Sequence, residues 1–140
     1  MKPRYLLDTN VISEALRPIP DPGVMRNLSK HEGEMAIGAP VWHELLFGCA
    51  RLRPSRRRAR LEVFLREGVA VAFPILPYDV AAAAWHAGER ARLGRTGRTP
   101  AFLDGQIAAI AAVHELALVS ANVRDYDAFE GVTVVDWRGR

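Results

Sequence analysis

The chain has 140 residues, 49% hydrophobic and 25% charged, with a net charge of +3 at neutral pH. That is the size and balance expected of one soluble globular domain, residues 1–140. No apolar stretch nears the roughly 20 residues needed to span a bilayer, and a lone cysteine, Cys49, excludes an internal disulfide, a CxxC pair and a zinc knuckle. In chain order, Arg4 to Leu7 predicts a first strand, cut by Asp8 after three apolar residues, so a signal peptide is not expected and a cytoplasmic location is. Val11 to Arg17 predicts a short helix ended by Pro18 and Pro20; Pro22 to His31 predicts a second, with Asp21 as N-cap. Glu34 to Gly38 reads as a strand, Pro40 to Leu52 as a helix with Leu45, Leu46, Cys49 and Leu52 inward, and Arg56 to Glu67 as another. Val69 to Leu76 predicts a strand, Tyr78 to Leu93 an Ala-rich helix near Asp79, and residues 94–99, GRTGRT, a flexible basic loop. Pro100 to Leu116 then predicts a helix, and Ala117 to Ser120 and Val132 to Val135 the last strands.

Strands alternating with helices imply a three-layer α/β/α architecture around a mainly parallel sheet. Right-handed crossovers bring the C-terminal ends of the strands to one edge, where open α/β sheets bind ligands. Four acids fall on that edge. Asp8 follows the first strand, Glu44 lies in the first turns of the helix after the second, Asp104 opens the helix after Pro100, and Asp125 follows ALVSAN. Any one of them could simply favour a helix N-terminus, worth roughly 0.3–1 kcal/mol. Four together repel and raise one another's pKa unless a cation neutralises them. An oxygen-only ligand set favours a hard cation, Mg²⁺ or Mn²⁺, which can activate water and stabilise charge on a phosphate under attack.

The string DTNVISE, the Glu44 helix, the run PAFLDGQIAAIAAVHELALVSANVRDYD and the closing VTVVDW, in that order, resemble a PIN-domain protein, and within that family the VapC-type toxins of prokaryotic toxin–antitoxin pairs. The resemblance implies an RNase H-like fold and a Mg²⁺-dependent endoribonuclease. It makes Asp8, Glu44, Asp104 and Asp125 the acidic quartet. Asp8 and Asp104 would be the principal metal ligands, and Glu44 and Asp125 would complete the cage. Asn10 would hold the Asp8 turn. Ser120 and Asn122 match the family's Thr-x-Asn element, with serine where threonine is commoner. Gly105 stands where a better helix former is usual, at a cost of about 1 kcal/mol. Asp127 lies close to Asp125, and either could be the fourth acid, the spacing from Asn122 favouring Asp125. The resemblance also implies a cognate antitoxin folded over the acidic groove, a toxin homodimer, and an RNA substrate for which transfer or ribosomal RNA are candidates. The short Val11 to Leu16 helix and the Ala-rich helix with Trp85 are candidate packing surfaces. A catalytically silent PIN module binding RNA or protein, or a DNA-directed nuclease of the same fold, are the alternatives.

Other chemistries fall away. HELLF, residues 43–47, has Phe47 where a zinc protease needs its second histidine. His31, His43, His86 and His114 show no ligand-like pairing. There is no GxxxxGK loop, no lysine after Lys30 for a receiver domain, and Asn10 where a haloacid-type phosphatase needs a second aspartate. RLRPSRRRAR, residues 51–60, reads either as a solvated helix face or as a phosphate-tracking surface, with Arg95 and Arg98 as comparable candidates. Trp42, Trp85 and Trp137 are expected in the core or an interface rather than as base-stacking platforms.

Overall fold

The computed structural model describes residues 2–139, so Met1 and Arg140, the two ends of the expected domain, lie outside it. The strands β1 (Tyr5–Leu7), β2 (Met35–Gly38), β3 (Ile75–Leu76), β4 (Ala117–Val119) and β5 (Val134–Val135) form one sheet in the order β3-β2-β1-β4-β5. Every pairing is parallel, with Tyr5 opposite both Met35 and Ala117. Leu6, Leu7, Ala36, Ile37, Leu118 and Val119 are fully buried. Such unbroken apolar strands, in place of an alternating pattern, are what a parallel sheet covered on both faces requires.

The helices α1 (Thr9–Ala15), α2 (Pro22–Lys30), α3 (Ala39–Ala50), α4 (Arg56–Val63), α5 (Ala70–Ala72), α6 (Val80–Arg95) and α7 (Phe102–Val113) flank this sheet. Asp21 caps α2 by accepting from the Val24 amide, and Asp79 caps α6 by accepting from Ala82. The chain moves outward from β1 through β2 to β3, then returns to the other side of β1 as β4 and β5. The strand order therefore reverses between β1 and β4. This switch point opens a crevice at the strands' C-terminal ends, and Asp8 and Ser120 stand on its two lips.

Three expectations are corrected. The strand predicted from Val69 is helical as far as Ala72: α4 runs on through a π-helical stretch, Phe64–Val69, into α5. Leu65 and Val69, four residues apart, are buried while Val71 is 79% exposed, so one apolar run serves a helix as well as a strand. Pro74 then forces its neighbour Phe73 into extended backbone, leaving only Ile75 and Leu76 for β3. The loop expected at residues 94–99 begins later, because α6 continues to Arg95 and closes in a hydrogen-bonded cap. The Gly97 amide donates to Gly94 and the Arg98 amide to Leu93, with Gly97 at φ +75°, a Schellman motif. Finally, α7 spans a shorter stretch than Pro100 to Leu116.

Candidate active site

Asp8 leaves β1 with its carboxylate already turned back on the chain, accepting the Thr9 amide at 2.7 Å and so capping α1. Its second oxygen accepts from Ser120 Oγ at 2.8 Å, from Tyr126 Oη at 2.9 Å and from Asn10 Nδ2 at 3.4 Å. The side chain is 7% exposed. A buried carboxylate is tolerable only when its lone pairs are met in this way. Asn10 braces the arrangement from the other side: its amide also reaches Ser120 Oγ at 3.3 Å, and its Oδ1 accepts from the Ala121 amide at 3.1 Å. Ser120 Oγ in turn accepts from the Asn122 amide at 3.0 Å, closing the turn after β4. The β1–α1 turn and the β4 exit are thus stitched together across the switch point by side chains.

Tyr126 is the residue that the sequence did not reveal. It is 1% exposed, and its hydroxyl lies 2.9 Å from Asp8 Oδ2 and 3.4 Å from Asp104 Oδ1. One phenolic proton thereby faces two carboxylates contributed by β1 and α7. Burial, and then the charges of Asp8 and Asp104, push the phenol far above its ordinary range, so it stays a donor. Asp104 is pushed up to about 6, first by burial and then by the negative charges of Asp125 and Asp8, with the Tyr126 hydrogen bond pulling the other way.

Asp8, Asn10, Glu44, Asp104, Asn122 and Asp125 all line one open cleft of about 400 Å³. Glu44 reaches it from α3, and Asp125 from a 3-10 turn, Val123–Asp125. Asp127 does not line it; its carboxylate lies 3.6 Å from the Arg98 guanidinium. Among the described residues no group of three or more His, Cys, Asp or Glu side chains is arranged to hold a metal ion by itself. The donor set nonetheless fits Mg²⁺ or Mn²⁺. It is all oxygen, it carries charge in excess, and Mg²⁺ needs only one or two carboxylates when water and substrate phosphate supply the rest.

Gly105 also acquires a reason. A Cβ there would collide with the His86 ring, which packs from α6 against the start of α7. His86 Nδ1 pairs with Tyr78 Oη at 2.8 Å. The tryptophans are core residues as expected: Trp137 is buried, and Trp42 and Trp85 pack against the core. Trp85 lies against Phe129, with ring centroids 6.0 Å apart. None of residues 51–60 lines the acidic cleft.

The family model described as the PIN domain matches residues 5–131. The chain belongs to the PIN-domain family. This PIN-domain chain is 32% identical over 136 residues to the tRNA(fMet)-specific endonuclease VapC of Shigella flexneri, covering 96% of this chain and 98% of that one. It is 33% identical over 135 residues to toxin FitB of Neisseria gonorrhoeae, covering 94% and 97%. Among solved structures, FitAB bound to an IR36 DNA fragment superposes with a TM-score of 0.90 at 30% identity, covering 97% of this chain and 96% of that chain. DNA-bound VapBC from Salmonella typhimurium superposes with a TM-score of 0.82 at 26% identity, covering 96% and 98%. These relatives set the chain among the VapC-type members of the PIN-domain family.

On the far side of α1 from the acidic cleft lies an apolar groove of about 430 Å³, whose lining includes Ile12, Ala15, Met25, Leu28, Phe64 and Phe73. Asn10 and Ser13 of the same helix line the acidic cleft. The α1 surface singled out from the sequence therefore borders both. Among the described residues, no helix is long and apolar enough to cross a membrane.

Proposed function

We propose that this PIN-domain chain is a Mg²⁺-dependent endoribonuclease and the toxin half of a VapBC-type pair. The observation that carries the proposal is the Asp8–Tyr126–Asp104 arrangement, two carboxylates on one phenol, with Glu44 and Asp125 lining the same cleft. The names of its relatives, endonuclease and toxin, support the same reading.

Asp8 and Asp104 would hold the cation, with Glu44 and Asp125 completing its surroundings and Mn²⁺ an acceptable substitute. When bound, such a cation supplies Lewis-acid activation of water and shares charge with the phosphate. Ser120, Asn10 and Tyr126 donate to the Asp8 carboxylate and fix its orientation at the cleft. Asp104 has its pKa raised by burial and by the charges of Asp125 and Asp8, the same charges that a cation at this cleft would offset. Asn122 and Asp125 line the cleft in which a phosphodiester would be held.

The decisive experiment is cleavage of 5′-labelled RNA by wild type, Asp8→Asn and Asp104→Asn, with Mg²⁺ or with EDTA. Transfer RNA is the first substrate to try, because the Shigella relative is named for it, and ribosomal RNA the second. Cleavage by wild type alone, abolished by EDTA, is expected. Equal activity in all three proteins overturns the metal reading. Binding without cutting indicates a silent RNA-binding module, and preference for DNA in competition indicates a DNA-directed nuclease.

The antitoxin is proposed to lay an apolar segment into the groove beside α1 while covering the acidic cleft, in keeping with relatives solved as FitAB and VapBC assemblies. Two copies of the toxin are proposed to pair symmetrically, the commonest arrangement of homodimers. Its place of action would be the cytoplasm, where its RNA is. Growth arrest on induction, relieved by co-expressing the product of a short neighbouring reading frame, tests the toxin role.

A further inference from the structure

A second cavity, of about 550 Å³, adjoins the acidic cleft and shares Asp104 and Asp125 with it as a common wall. Its lining also carries Arg98 and Arg124, which the chemistry above leaves unused. Both guanidinium-bearing residues are set by local structure. Arg98 is the residue whose amide closes the Schellman cap of α6, donating to the Leu93 carbonyl at 2.9 Å. Arg124 lies in the 3-10 turn that also presents Asp125, pinned where the Asp125 amide donates to the Asn122 carbonyl at 3.0 Å. The turn that offers a carboxylate to one cavity thus offers a guanidinium to the next.

Their charge balance points to a ligand. Among the described residues, Arg124 has no carboxylate within ion-pair distance, and Arg98 has only Asp127, at 3.6 Å with both side chains more than half exposed. An ion pair that open adds little to stability. It does hold the Arg98 guanidinium at the mouth of the cavity. A strand of RNA approaching four carboxylates meets like charge, and two forked cations beside them supply the counter-charge. Arginine is suited to the task, since its planar donors grip phosphate oxygens in pairs.

We infer that Arg98 and Arg124 form a phosphate subsite that holds a backbone phosphate of the RNA strand flanking the one being cut, with Asp127 as a positioning residue for Arg98. This rests on the ribonuclease reading above. It also separates these two arginines from the run at residues 51–60, of which none lines either cavity.

The test uses the full chain and a 5′-labelled single-stranded RNA. Arg98→Ala and Arg124→Ala are each expected to raise KM roughly ten-fold, the scale of one charge-assisted contact, with a much smaller change in kcat. The lysine variants recover part of the loss. The slope of log(kcat/KM) against log[salt] falls by about 0.7 for the lost phosphate contact. Lys30→Ala, which removes the same charge outside both cavities, controls for net charge and leaves KM unchanged. A fall in kcat at constant KM, an unaltered salt slope, or an equal effect of Lys30→Ala overturns the assignment. RNA binding by the Asp8→Asn protein, read by fluorescence anisotropy, keeps the two readings apart. If wild type cuts no RNA, the nuclease reading fails by itself. Weaker binding on adding Arg98→Ala or Arg124→Ala to Asp8→Asn then still upholds the subsite, and unchanged binding overturns it.

Discussion

The His86 ring occupies the volume that a Cβ on Gly105 would need, so α6 and α7 meet one residue away from Asp104 through a glycine and an imidazole. Replacing glycine by alanine inside a helix ordinarily stabilises by about 0.5–1 kcal/mol. Here the sign is expected to reverse. Gly105→Ala should destabilise by roughly 1–3 kcal/mol, the usual scale of overpacking, and lower cleavage by displacing Asp104. Chemical denaturation of Gly105→Ala, His86→Ala and the double variant checks this. The double variant should regain part of the loss, and a rise in Tm for Gly105→Ala alone would refute the packing argument.

Tyr126→Phe keeps the buried ring and deletes only the hydroxyl shared by Asp8 and Asp104. A lost hydrogen bond to a charged group costs about 1.5–3 kcal/mol, and the two carboxylates would then face each other with no proton between them. The variant should be less stable than wild type in EDTA, with Mg²⁺ recovering more stability for it than for wild type. Melting curves in both conditions decide; identical curves for the two proteins would remove Tyr126 from the site's electrostatics.

Ser120→Ala leaves an Asp8 oxygen short of one donor and the Asn122 amide without its acceptor. Asp8 keeps its Thr9, Tyr126 and Asn10 donors, so the loss is that of a hydrogen bond to a charged group, about 1.5–3 kcal/mol, expected in urea titration together with reduced cleavage. Retention of both by the alanine variant would mean that the stitch between β1 and β4 is dispensable.

The raised pKa of Asp104 makes stability depend on pH in a defined direction. Its folded-state value, about 6, lies above the ordinary 3.8, so its contribution is complete below 3.8 and is lost as pH rises through about 6. His86 works the other way. Burial, and then the Arg90 charge, lower its pKa from 6.5, so its contribution is present above 6.5 and fades as pH falls below that. The difference in Tm between wild type and Asp104→Asn isolates the first effect. Without divalent cation, the variant's advantage should be largest at pH 7 and shrink as pH falls towards 4. A difference that stays flat across this window would show that Asp104 is not strained by its neighbours.

Why was the shared edge of the four acids legible from the sequence while the places of Tyr126 and His86 were not? Asp8 ends an apolar run, and Asp104 follows a proline that opens a helix, so both announce their place on an edge through local pattern. Tyr126 sits in DYDAF, a stretch with neither strand nor helix period, and only the docking of that turn beneath β1 and α7 buries it. His86 belongs to an Ala-rich helix whose register against α7 is a tertiary fact. The error at Val69 has the same root. A short run of valine and alanine suits either element, and here the preceding helix, with Leu65 and Val69 on its buried side, decided the outcome.

The pairing of β1 with β4 joins Tyr5 to Ala117 and Leu7 to Val119. Ser120, Asn122, Asp125 and Tyr126 all follow that pairing, and 118 positions separate Asp8 from Tyr126. At a synthesis rate of roughly 5–20 residues per second, a ribosome needs about 6–24 s to travel between them. For nearly all of that interval the nascent chain carries Asp8 with Thr9 and Asn10 but without Ser120 and Tyr126. For an enzyme proposed to attack RNA, the topology leaves the acidic cleft unassembled until nearly the whole chain has been translated.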